Sequence, residues 1–130
     1  MQNAVQEIVE LTVNAFYEDD LEIAAKVEPL RDLIGILCDE LKMKHIARLR
    51  TGKCKLKQGF AFNDLLNNLE RVSAHCSNIA VAMIELEAED FGTHAYLRNI
   101  KGVKNINYAQ QFEEYEKKYD ISKYKKNKKK

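Results

Sequence analysis

The chain has 130 residues, with 32% charged side chains, five glycines, one proline and no tryptophan. That length suits a single domain, and the composition favours helices over sheet. No apolar run is long enough to cross a bilayer, and the first residues lack a signal-peptide pattern. Cys38, Cys54 and Cys76 form neither an even disulfide framework nor a C-x-x-C pair, which points to reduced thiols and a cytoplasmic setting. The formal charge of +1 hides a split: residues 1–90 carry 10 basic and 16 acidic side chains, and residues 91–130 carry 11 and 4. The last eight residues are almost all lysine, so 121–130 is expected to be a disordered, solvated tail. Attraction to an acidic membrane or nucleic acid is the alternative there.

Ala4, Ile8, Leu11 and Ala15 share one face, with Val5 and Phe16 beside it, which predicts a first amphipathic helix over about residues 3–17. Asp19 or Asp20 then caps the next helix. The second helix is expected over about 20–51, on a stripe of Ile23, Val27, Leu30, Ile34, Leu37, Leu41 and Leu49. Pro29 either kinks this helix or occupies the first turn of one that starts near Lys26. The apolar rhythm keeps its phase across Pro29, which favours one continuous, kinked helix. Thr51-Gly52 ends it. From Lys42 to Lys57 seven basic side chains run without an acid. Cations suit a helix C-terminus, and a phosphate or headgroup contact is the second reading.

The third helix, over about 58–88, organises the rest. Phe62, Leu65, Leu69, Val72, Cys76, Ile79 and Met83 alternate steps of three and four, a single helical face held over several turns. Small residues (Ala74, Ser77, Ala80) would let a neighbour approach closely, and Asn67, Glu70, Arg71, Ala74 and Asn78 form a polar band. Past Phe91-Gly92, residues Tyr96, Leu97 and Ile100 suggest a short helix, and Tyr108, Phe112, Tyr115 and Tyr119 another. The expected fold is all-α: an antiparallel up-down-up three-helix bundle over 1–92, a helical C-terminal extension over 93–120, then the tail.

Several ordered stretches resemble the PhoU family. They are Val27-Glu28-Pro29-Leu30, then Lys44-His45-Ile46-Ala47-Arg48-Leu49 with Gly52 and Cys54, then Gly59-Phe60 and Asp64-Leu65-Leu66. The densest follow: Asn68-Leu69-Glu70-Arg71-Val72-Ser73 and His75-Cys76-Ser77-Asn78-Ile79-Ala80. The likeness is greatest to the PhoU-like cytoplasmic domain that follows the membrane part of bacterial sodium/phosphate cotransporters. It covers about residues 4–90 and continues, more weakly, to about Tyr119. A full PhoU domain has two three-helix repeats and this chain has room for one, so a fragment or a stand-alone half is expected.

The resemblance implies metal chemistry built on E-x-x-x-D pairs on the second and third helices. Residues four apart share a helix face, so two carboxylates can offer oxygens to one hard cation. Here the corresponding positions are Arg31 and Gly35 on the second helix and Glu70 and Ala74 on the third. Three of the four acids are missing, so no metal and no other cofactor is expected. Glu28 and Asp32 form such a pair about 60° around the helix, and His75 beside Glu70 is a further candidate ligand. His45 and His75 otherwise read as packing residues, and Glu70 is expected to pair with Arg31 across the helices.

No phosphate loop, nucleophile elbow or zinc helix is present. The expected function is a non-enzymatic regulatory domain linked to sodium-dependent phosphate transport. It would act by contact with a cotransporter's membrane domain or with a second copy of itself, at the cytoplasmic face of the inner membrane, with the membrane surface as a further partner and nucleic acid excluded. A metal-binding PhoU-type signalling adaptor and a plain helical oligomerisation module are the alternatives. The interface candidates are Val9, Val13 and Phe16 on the first helix and the stripe Tyr108, Phe112, Tyr115 and Tyr119, unless those aromatics fold back over the bundle.

Overall fold

A computed structural model describes residues 1–90 and 107–120. Helices α1 (Gln2–Glu18), α2 (Leu21–Ala25), α3 (Val27–Arg50) and α4 (Leu56–Asp90) follow in order, and residues 107–118 form a further helix, α5. No strand occurs among the described residues. The short helix expected around Tyr96–Ile100 and the lysine tail lie outside them.

α1 ends at Asp19, which takes a left-handed conformation (φ 50°) and returns its N–H to the Ala15 carbonyl. The Asp20 carboxylate then caps α2, accepting from the N–H groups of Glu22 at 2.9 Å and Ile23 at 3.3 Å. The second predicted helix is not continuous: it breaks at Lys26 into α2 and α3. In an unbroken helix the Pro29 ring would press on the Ala25 carbonyl and leave it without a donor. Placed third in α3, Pro29 loses nothing, because the first four N–H groups of a helix have no intrahelical acceptor. Lys26 stays in the right-handed helical region (φ −77°, ψ −14°). The apolar phase therefore survives the break, and this is why the rhythm read as one helix.

Five residues join α3 to α4, with Gly52 at φ +69°, a conformation that suits glycine. α4 starts at Leu56, ahead of the expected residue 58, so Gly59 lies in its first turn. Partners along α3 meet α4 in reverse order. Glu28 meets Ser77, Cys38 meets Leu66 and Glu70, and His45 meets Phe62.

The core gathers Ala4, Ile8 and Ala15 of α1, Ala24 of α2, Val27, Leu30, Leu33, Ile34 and Leu37 of α3, and Cys76 and Ala80 of α4. Each fully buried Leu or Ile contributes on the order of 1.5–3 kcal/mol. α4 meets this core largely through small side chains, with Ser73, Cys76, Ser77 and Ala80 buried and Leu69 and Met83 half-buried. Leu65, Val72 and Ile79, expected on the same stripe, are exposed instead. Rows spaced by seven drift about 20° per heptad around a straight helix, and this row lies on the flank of the packed face.

Candidate functional site

The pairs of positions considered for metal lie along the α3–α4 seam. Arg31, half-buried, donates to the Asp32 carboxylate beside it at 3.1 Å. The cross-helix pair expected between Arg31 and Glu70 is absent. Glu70 sits opposite Cys38 and Lys42, two to three turns further along α3, with its carboxylate 3.8 Å from Lys42 Nζ and 3.5 Å from Cys38 Sγ. Those distances match the reverse order in which α3 meets α4. Gly35 and Ala74 are half-buried and offer no donor atom.

The alternative carboxylates are also occupied. Ser77 Oγ donates to Glu28 at 2.5 Å, and the Tyr108 hydroxyl donates to Asp32. His75 lies on the exposed surface of α4, away from both, and is not a packing residue. Among the described residues no three His, Cys, Asp or Glu side chains converge on a point where a metal could sit. The residues present therefore do not fit the family's metal.

The Cys38 thiol is buried and its pKa is raised, first by burial and then by the Glu70 carboxylate, so it stays protonated and unreactive. Cys76 is buried as well.

His45 is buried at the far end of the seam, its ring centroid 5.0 Å from that of Phe62. Arg48 lies over the Phe62 ring, 5.3 Å from its centroid, and donates to His45 Nδ1 at 3.4 Å. That contact places the ring proton on Nε2, which has no hydrogen-bond partner and faces Gly59.

The aromatic stripe of α5 lies on the bundle. Phe112, Tyr115 and Tyr119 pack against the core, and Phe112 stacks on Tyr108 with centroids 6.1 Å apart. Tyr115 reaches the Lys26 carbonyl at 3.4 Å, the Tyr119 hydroxyl donates to Glu7, and Lys118 pairs with Glu7 at 3.0 Å. Burial, then the Asp32 carboxylate, pushes Tyr108 up to about 12; burial, then Glu7, does the same for Tyr115. Tyr119 is raised too, by burial and its bond to Glu7. α5 and α1 frame a cleft of about 480 Å³ lined by Glu7, Leu11, Lys26, Glu114, Tyr115 and Lys118 among others.

The remaining interface candidates face outward. Val9, Val13 and Phe16 form one exposed row on α1. Sequence reasoning missed a longer row on α4: Leu65, Val72, Ile79 and Leu86, spaced by seven and between 40 and 63% exposed. The seven-residue spacing was visible in the sequence, but nothing there separated it from the core stripe beside it.

The family model described as the PhoU domain matches residues 1–83. The chain belongs to the PhoU family. No curated protein and no solved structure matches it. Family membership agrees with an all-helical fold and with a phosphate-related regulatory or accessory role. Among the described residues no helix is long and apolar enough to cross a membrane.

Proposed function

We propose that this PhoU-family chain is a non-enzymatic accessory domain of sodium-dependent phosphate transport that works by binding another protein surface. In this reading its long helices form an up-down-up bundle at the cytoplasmic face of the inner membrane, and the partner is a cotransporter's membrane domain or a second copy of the chain. The observation that carries the reading is the outward row Leu65, Val72, Ile79 and Leu86 on α4. A bundle of this size gains nothing from four large apolar side chains in water at regular spacing, whereas a partner helix reads such a row as a seam. Val9, Val13 and Phe16 supply a second exposed row. The cotransporter rests on the resemblance of the Asn68–Ala80 stretch. The metal-binding alternative is disfavoured by the missing donors at positions 31, 35 and 74.

Light scattering over a range of concentrations, with retention on an immobilised cotransporter membrane domain, tests the reading. Association or retention is expected, and Val72→Glu or Phe16→Glu should weaken it, because a carboxylate buried without a partner is costly. A chain that stays monomeric and is not retained would refute the proposal.

A further inference from the structure

The cationic run from Lys42 to Lys57 needs more than helix electrostatics to account for it. Arg48 and Arg50 lie in the last turn of α3, where the helix dipole favours cations. Lys42 pairs with Glu70 on the bundle side. Lys53, Lys55 and Lys57 lie past that helix end. Lys55 immediately precedes α4 and Lys57 is in its first turn, the positive end of a helix dipole, where a cation is unfavourable and no acid balances it. All three are exposed, and among the described residues none is paired with a carboxylate. Their position costs stability locally, so a role outside the fold is the better account.

Large apolar side chains are interleaved with them. Met43, Leu56 and Phe60 are 68, 66 and 65% exposed, among the most open on the molecule. They sit where the bundle thins. The core that unites α1 with the hairpin stops at Leu37 on α3 and takes up α4 again only at Leu69. Beyond that level the side-chain contacts are those between α3 and α4, and the turn closes the end. A projecting tip with lysines beside exposed Leu and Phe has the composition of an interfacial anchor: cations meet acidic headgroups while apolar side chains enter the acyl boundary.

We propose that the α3–α4 hairpin tip docks on an anionic phospholipid surface, with Lys53, Lys55 and Lys57 at the headgroups and Leu56 and Phe60 inserted. An acidic protein would satisfy the lysines but leave the adjoining apolar side chains without a role. The inference uses the tip alone and does not depend on the α4 row, so its test and that of the protein contact succeed or fail separately.

The test is flotation of the full chain with phosphatidylcholine vesicles, with and without phosphatidylglycerol, while Cys54 carries a polarity-sensitive fluorophore. Cys54 is at the tip and partly open, and the other two thiols are buried, so the label reports the docking end. Flotation is expected only with phosphatidylglycerol, accompanied by a blue shift of the label. Lys53→Gln with Lys55→Gln should lower partitioning roughly 25-fold, at about fivefold per charge, and Leu56→Ser with Phe60→Ser should abolish the blue shift. All four positions are exposed, and an unchanged circular-dichroism melt verifies that the variants fold. Absence of flotation overturns the proposal. Flotation that survives the lysine substitutions overturns it by assigning binding to the lysine-rich C-terminus. Binding to polyglutamate as tight as to the vesicles, indifferent to Leu56 and Phe60, overturns it in favour of an acidic protein.

Discussion

Gly59→Ala is expected to destabilise the protein, although alanine is the better helix former. In a helix interior Gly→Ala gains about 1 kcal/mol, and Gly59, in the first turn of α4, can gain at most that. A Cβ there would stand 2.7 Å from His45 Nε2, 3.3 Å from His45 Cε1 and 3.3 Å from Leu49 Cδ2. The imidazole cannot swing aside freely, because Phe62 and Arg48 hold its other sides and it is buried. Overpacking of this kind costs roughly 1–3 kcal/mol. Gly35 is the internal control: it lies in α3 with nothing within 4 Å of its would-be Cβ, so Gly35→Ala keeps the propensity gain without the clash. The gap between the variants is therefore at least the steric term, about 1–3 kcal/mol, or on the order of 3–15 °C in melting temperature for a domain of this size. Thermal melts followed by circular dichroism measure it. Adding His45→Ala to Gly59→Ala should recover part of the loss, because two residues in contact couple. A Gly59→Ala protein that melts at or above the Gly35→Ala protein would refute the close approach of α4 to His45.

Alkali should unfold the protein through its α5 tyrosines. Tyr108 and Tyr115 are pushed from 10 to about 12 in the folded chain, so the fold favours the neutral phenols; their stabilisation is present below pH 10 and is lost as pH rises toward 12. Denaturation midpoints measured across that window should fall, and Tyr108→Phe, which removes the group that titrates against Asp32, should make the fall less steep; an equal slope in both proteins would contradict the Tyr108–Asp32 contact. Elemental analysis of purified protein is expected to find no stoichiometric iron, zinc or manganese, and one metal per chain would overturn the reading of the degenerate pairs. Arg31→Glu and Gly35→Asp combined with Ala74→Asp should create binding that the parent lacks, since carboxylates at four-residue spacing return to α3 and α4.

The helices were legible because three-and-four spacing is written over whole turns, and the ends of α1 and α3 followed from Asp20 and Gly52. The break at Lys26 was not, because one residue in a helical conformation leaves the phase of Ile23, Val27 and Leu30 intact. At the seam, spacing identified which residues could face α4 but not the axial level at which they meet it. That is how Glu70 was matched with Arg31 when it lies opposite Cys38 and Lys42. The aromatic period of α5 showed one apolar face, yet the groups it meets, Glu7, Lys26 and Asp32, are about 80 to 110 residues away in the chain, beyond the reach of any local pattern.

α4 carries two apolar faces, one packed and one open. Its packed face mixes the small side chains of Ser73, Cys76, Ser77 and Ala80 with Leu66, Leu69 and Met83. The row at Leu65, Val72, Ile79 and Leu86 lies on the flank of this face and is exposed. Those residues can be covered only by something that approaches from the other side. α4 thus leaves an apolar seam open along its outer flank. A bundle selected for its own stability alone would not retain such a seam, and it is the feature on which a protein contact can be built.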